Sequence, residues 1–384
     1  MKKWNLLAMV LVLSALVSLV NSSAAYSGAK MMLPPLRVPP PGYLGGGTLV
    51  AYAINDSGQI VGNGELCELD IRKAADVGFL YSGGTMTELG TPYPELMDDW
   101  GFLLWYWSRA TGINNNGKII VNSGNKETHL QKAFLYSGGT WTELDTLNEA
   151  TGINDSGQVV GNLYGGTNEA DRCAVLYSEG NVKGLGNLGG GYSKANGINN
   201  SGQIVGRAEL ASGELHAFLY DNSKMKSLGH LTPTLGYGFS EAYAINNYGQ
   251  IVGSSITASG QEHAFLYSGG KMKDIDTLPG GTDSCAVSIN DNGQIVGWST
   301  TASGEIHAFL YSRGKMEDLG TLPGGIWSYA TGINNKGQIV GYSDALGVGP
   351  GFDGMPEGSH CIYSFLYNSR SSLPGILPLL LGSN

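Results

Sequence analysis

Short apolar runs of four to six residues recur along almost the whole chain, separated by polar turns. Between residues 285 and 320 they read CAVSIN, QIVGWS, IHAFLY and KMEDLG. Each is rich in β-branched or aromatic residues and too short for an amphipathic helix, so each reads as a strand. Asn290-Asp291-Asn292-Gly293 joins the first two. Asn at the first turn position and Gly at the fourth fit a type I turn, with Gly at positive φ in a bulge. Ser312-Arg313-Gly314 joins the second two with similar hairpin chemistry. Two hairpins in succession predict a four-stranded antiparallel unit.

The unit repeats. The Asn of an I-N-x-x-G-[QK]-[IV]-[IV] motif falls at Asn55, Asn114, Asn154, Asn199, Asn246, Asn290 and Asn334. A second marker, [FV]-L-Y, begins at Phe79, Phe134, Val175, Phe218, Phe265, Phe309 and Phe365. The two interleave once per period, giving seven copies. A four-stranded unit of this length has two apolar faces, and closing seven into a ring buries them. The predicted fold is all-β: a seven-bladed β-propeller of four-stranded antiparallel blades. An open solenoid fits less well, because its coils pair in parallel and need no tight hairpins. We name the strands of each blade A (innermost) to D (outermost). The A–B and C–D turns then lie on the bottom face, and the B–C and D–A loops on the top face.

The seventh copy lacks its fourth strand after FLYNSRSSLPG. Residues 27–36, SGAKMMLPPL, resemble SGGKMKDI at 268–275. Residues 30–36 are therefore expected to supply the missing outer strand, with residues 371–376 as the rival. Joining the ends this way removes an exposed edge. The propeller is expected over 26–372, followed by a short apolar tail at 373–384.

Lys2 and Lys3, an apolar run from Leu6 to Val20 and the small residues Ser23-Ala24-Ala25 read as a signal peptide over residues 1–25. No later stretch is long and apolar enough to span a membrane as a helix. A secreted or surface-located mature chain is expected. The net charge is −10, with 14% charged residues, and no basic face for nucleic acid is evident. The 60 glycines follow no collagen triplet and sit at fixed points of the repeat. Cys67, Cys173, Cys285 and Cys361 match no zinc spacing. Cys67 and Cys361 fall in the B–C loops of blades 1 and 7, which neighbour each other in a closed ring, so a disulfide between them is expected. Cys173 and Cys285 are expected to be buried free thiols.

The repeated H-A-F-L-Y-S-x-G-x-M-x-D-L-G-T-L-P-G-G joined to G-I-N-x-x-G-Q-I-V-G resembles the HAF repeat family of extracellular bacterial and archaeal proteins. His216-Ala217-Phe218, His263-Ala264-Phe265 and His307-Ala308-Phe309 carry the name-giving triplet; Val77, Lys132, Cys173 and Tyr363 replace the His in the other copies. The resemblance covers roughly residues 48–367. It implies export and a repeat architecture, and it brings no catalytic residues.

Chemistry must then lie where the copies differ. The three aligned His residues sit on neighbouring blades at the third strand, too far apart to converge on a metal, and read as buried hydrogen-bonded packing residues. Asp56, Asp155 and Asp291 follow the turn Asn, but Asn stands there in the other copies and no late Glu repeats, so a calcium loop is not indicated. No catalytic motif such as G-x-S-x-G or H-E-x-x-H is present, and no cofactor is implied. The aromatic positions are more informative. Trp107, Tyr192, Phe239 and Trp327 occupy the same site in four copies, three residues before the Ala of strand A. The D–A link into blade 2 adds DDWGFLLWYWS at 98–108, with Trp100, Trp105 and Tyr106. These rings form the candidate ligand surface on the top face. The expected role is binding or structural, presenting that face to a glycan, a cell-surface component or a protein, with the chain a monomer. The alternative is an enzyme acting on extracellular polysaccharide. Paired acids beside the aromatics would favour that alternative.

Overall fold

The computed structural model describes residues 30–33, 48–65, 76–92, 106–125, 131–164, 172–232, 238–346 and 360–369. They form seven four-stranded antiparallel sheets, a seven-bladed β-propeller. In blades 1 to 6 the four strands pair in sequence order A-B-C-D. The A strands of successive blades touch one another around a complete circuit, from Leu49–Ile54 of blade 1 to Ser328–Ile333 of blade 7 and back. They therefore line the axis. Among the described residues no helix is long and apolar enough to cross a membrane.

The outer strand of blade 7 comes from the other end of the chain. Lys30–Met32 pairs antiparallel with His360–Asn368, Lys30 opposite Tyr367 and Met32 opposite Phe365. Leu33 continues the pairing, its N–H donating to Ser364 O at 3.0 Å, and is 2% exposed. Residues 34–36 and the rival segment 371–376 lie outside the described residues.

Each motif residue has a physical task. The A–B turn glycines, Gly58 through Gly337, all take φ between 72° and 86°, the left-handed region that glycine enters freely. Strand A carries a bulge in every blade, for example between Ala286 and Ser288 and between Ala330 and Gly332. The bulge pushes a strand A carbonyl over strand B. A Cβ at Gly297 would lie 1.9 Å from Cys285 O, and one at Gly341 2.0 Å from Tyr329 O. This accounts for the Gly of I-V-G, which only blade 2 replaces, with Val121. The Phe of H-A-F is fully buried between blades in Phe79, Phe218, Phe265, Phe309 and Phe365. The neighbouring Ala reaches across the blade gap: Ala264 N–H donates to Ser284 Oγ and Ala308 N–H to Ser328 Oγ, both at 2.9 Å. The apolar clusters likewise form between sheets, as where Val252 and Ala264 of blade 5 meet Ala286 and Phe309 of blade 6.

Candidate functional site

The channel has two differently built mouths. At the bottom, the seven A–B turns line a cavity of about 230 Å³. Each motif Asn is buried and holds its own turn, its Oδ1 accepting from backbone N–H groups two and four residues on, as Asn290 does from Asn292 and Gln294; at Asn154 the nearer donor is the Ser156 hydroxyl. Its Nδ2 donates to the carbonyl of the corresponding Asn in the next blade, at 2.9–3.1 Å, seven times around the ring. A second circuit lies beside it. The backbone N–H of each following residue donates to Oδ1 of its counterpart in the next blade, at 2.8–3.0 Å: Asp56, Asn115, Asp155, Asn200, Asn247, Asp291, Asn335 and back to Asp56. The three Asp side chains are never adjacent. Each accepts amide N–H groups from the Asn on both sides, as Asp155 does from Asn115 at 3.1 Å and Asn200 at 2.8 Å. The sequence pattern identified these positions as turn formers. Their second task, tying blade to blade, is carried by partners 40 to 59 residues away, and 279 away where blade 7 meets blade 1.

The other end of the ring of A strands lies about 15 Å from these turns. On blades 6, 7 and 1 it is aromatic. Tyr329 of strand A and Tyr342 of strand B are direct cross-strand partners and stack at 5.3 Å with their planes 22° apart. Trp327 sets its edge against both, at 5.8 and 6.0 Å. Trp298 of blade 6 meets Tyr329 edge-on at 6.2 Å. Tyr52 of blade 1 adjoins Tyr342. All five rings are half-buried. Burial, with Tyr329 and Tyr52 nearby, pushes the Tyr342 hydroxyl up to about 12. Burial also raises Tyr329 and Tyr52, the latter against the opposing pull of Arg109. The wall is therefore neutral, with phenol groups in their protonated form.

The far side is ionic. Glu241, 3% exposed, accepts from Arg207 Nη1 at 2.8 Å and Asn196 Nδ2 at 2.8 Å, with Lys194 Nζ at 3.8 Å. Arg207 also donates to Tyr192 Oη at 3.1 Å and lies over its ring at 5.5 Å. Glu149 accepts from Tyr164 Oη at 2.7 Å and Asn162 Nδ2 at 3.1 Å. Asp76 pairs with Arg109 at 2.9 Å where blades 1 and 2 meet, beside Tyr52 at the edge of the aromatic wall.

The expected aromatic set is only partly brought together. Trp327 stands in the wall. Trp107 is half-buried under the Arg109 guanidinium, 5.1 Å from the ring centroid. Tyr192 is 8% exposed and supports Arg207, so it is a packing residue of the ionic side. Phe239 is half-buried, in a bridge with Leu215. Tyr106 begins strand A of blade 2, Tyr106–Ile113, and its side chain, like all of Trp100 and Trp105, lies outside the described residues. Tyr329, Tyr342, Trp298 and Tyr52 were missed. For Tyr342, Trp298 and Tyr329 the signal was the variable residue after each I-V-G and the residue facing it across the hairpin, whereas Tyr52 sits in the strand A bulge of blade 1. Cys361 is a buried free thiol, and Cys67 lies outside the described residues. Cys285 is buried as expected, whereas Cys173 is exposed, because it starts strand C of blade 3 at the rim. His263 and His307 are hydrogen-bonded as expected, through Nδ1 to Asp274 at 2.8 Å and Asp318 at 2.9 Å. Among the described residues no three His, Cys, Asp or Glu group closely enough to hold a metal among themselves.

No family model matches this sequence, and no curated protein matches it. Solved structures do. A puromycin-hydrolyzing peptidase of Mycobacterium tuberculosis superposes with TM-score 0.55 at 10% identity, over 92% of this chain and 56% of that one. TolB of Acinetobacter baumannii gives 0.42 at 14% identity, over 71% and 63%. A lectin of Aleuria aurantia in complex with a fucosylated sugar gives 0.39 at 12%, over 72% and 96%. This chain thus spans less than two thirds of the peptidase and of TolB. At such identities the likeness concerns the fold alone.

Proposed function

We propose that the protein is an exported binding propeller, of the HAF repeat type, that holds a glycan against the aromatic wall of its upper channel. One observation carries the reading: Trp298, Trp327, Tyr329, Tyr342 and Tyr52 come together from three consecutive blades as one half-exposed aromatic surface. A pyranose ring presents an apolar face for stacking and an equatorial rim of hydroxyls, and phenol and indole groups supply both kinds of partner. The acids of the same channel, Asp76, Glu149 and Glu241, are each engaged with a cation, an amide or a hydroxyl. That arrangement favours holding a sugar over hydrolysing one, which needs a free acid opposite a second carboxylate. The test is a glycan array probed with the chain from residue 26 onward, repeated with Tyr329→Ala and Trp327→Ala. Binding by the parent and its loss in both variants, with unchanged circular dichroism, supports the reading. An array without signal, or binding untouched by both changes, overturns it.

A further inference from the structure

The name-giving His behaves differently in blade 4. In blades 5 and 6 an Asp of strand D takes Nδ1. In blade 4 Ser227 stands in that place, and the Nδ1 of His216 pairs with its Oγ at 2.9 Å. A second imidazole then packs alongside. His230, on the link leaving strand D, lies edge-to-face with His216, their ring centroids 5.1 Å apart and their planes at 64°. Gly238 makes room for it: a Cβ there would sit 2.2 Å from His230 Cδ2 and Nε2. His216 is 92% buried, being 8% exposed. Its Nε2 and the Nδ1 of His230 are both buried with no hydrogen-bond partner. Two buried imidazole nitrogens without partners on adjoining rings are costly, and a native structure needs a reason for them.

We propose that His216 and His230 form a two-histidine site for a divalent transition metal of the zinc class, bound through Nε2 of His216 and Nδ1 of His230. Two imidazoles sharing a zinc at about 2.1 Å and near-tetrahedral angles have centroids roughly 5 Å apart, which matches the pair. A ligating histidine normally has its other nitrogen fixed by a hydrogen bond, and Ser227 provides that for His216. Glu214 adds negative charge beside both rings. Its carboxylate accepts from Ser212 Oγ at 3.0 Å and from Gly238 N–H at 3.3 Å. Two protein ligands leave the remaining positions to solvent, which makes this an open site rather than a closed structural one.

The chain from residue 26 onward, stripped with chelator, is titrated with zinc chloride by calorimetry, and its histidine ring signals are followed by NMR. The expectation is one zinc per chain, with the largest shifts at two of the imidazoles. His216→Gln and His230→Gln should each weaken binding by at least tenfold, since loss even of a supporting group costs about 10–100-fold. His263→Gln, whose ring is held by Asp274, should change nothing. If the two variants fold poorly, the parent still decides through which imidazoles shift. Absence of zinc binding by the parent, binding that survives both substitutions, or zinc shifts that fall on His263 and His307 overturns the site.

Discussion

The backbone N–H of Asn335 donates to Oδ1 of Asp56 at 2.8 Å, joining residues 279 positions apart. With Asn334 Nδ2 donating to Asn55 O at 2.9 Å, it closes both hydrogen-bond circuits between the last blade and the first. The side chain of Asn334 is 96% buried and also accepts from Lys336 and Gln338 N–H. Asn334→Ala should therefore cost about 2–4 kcal/mol, because several buried groups lose their partners at once. Asp56→Asn keeps the Oδ1 acceptor but turns the Oδ2 that takes the Asn115 and Asn335 amides into a donor; because those amides also reach Asp155 and Asp291, it should cost less, about 1 kcal/mol. Urea unfolding of the two variants checks this. Equal losses would mean that charge rather than hydrogen bonding holds the circuit.

The strand Lys30–Met32 makes the second closure. Lys30 Nζ donates to Gly320 O and lies over the Phe365 ring at 4.2 Å. Burial pushes its pKa down from 10.5 to about 8, with Asp318 opposing. The unfolded chain then binds more protons than the folded one between pH 8 and 10.5, so this group makes stability rise with pH across that window. Relative to Lys30→Met, the parent should gain up to about 3 kcal/mol from pH 7 to 10.5. Thermal melts of both proteins across that range measure the difference. A flat difference would show that Lys30 is hydrated.

Most of the architecture was readable from spacing, because every blade solves the same local problem with the same residues. Gly293 had to follow Asn290 for the turn, and the Phe309 run had to be buried on one face. The blade-to-blade role of Asn290 was not readable, since its partner Asn334 O is adjacent only once blades 6 and 7 pack side by side. The site was half readable for a similar reason. Counting back from the Ala of strand A reaches Trp327 but passes over Tyr329, whose importance depends on Tyr342 facing it across a hairpin and Trp298 arriving from another blade. Tyr192 shares the position of Trp327, yet Arg207 turns it into a support for an ion pair.

That ion pair makes its own prediction. Glu241 neutralises Arg207 and Lys194 in a place where its own side chain is 4% exposed and theirs 22%. Glu241→Gln leaves two cations facing each other with little water. A loss of the order of 3 kcal/mol is expected, larger at low salt. Denaturant titration at two ionic strengths is the measurement, and a variant as stable as the parent would show that water compensates the pair.

The aromatic wall predicts a separation of roles among hydroxyls and rings. Tyr329→Phe and Tyr52→Phe keep the ring area and remove only hydrogen-bonding groups. Each should leave stability within about 0.5 kcal/mol. Trp327→Ala removes two edge-to-face contacts and should cost about 1–3 kcal/mol beyond its effect on the surface. Thermal denaturation ranks them. A Tyr329→Phe protein destabilised as much as Trp327→Ala would mean that the hydroxyl is tied inside the fold and not open to the channel.

The thiols should differ in reactivity by position alone. Cys173 is exposed at the start of strand C in blade 3. Cys285 is 4% exposed on strand A of blade 6, and its thiol is pushed far up, first by burial and then by Glu262. The thiolate is the reactive form, so Cys285 lacks both access and charge. In folded protein at pH 8, iodoacetamide should modify Cys173 readily and leave Cys285 intact, whereas in urea both should react. Peptide mapping by mass spectrometry reads the two sites separately. Modification of Cys285 at the rate of Cys173 in the folded protein would show that blades 5 and 6 open at the axis, and the packing described there would have to be given up.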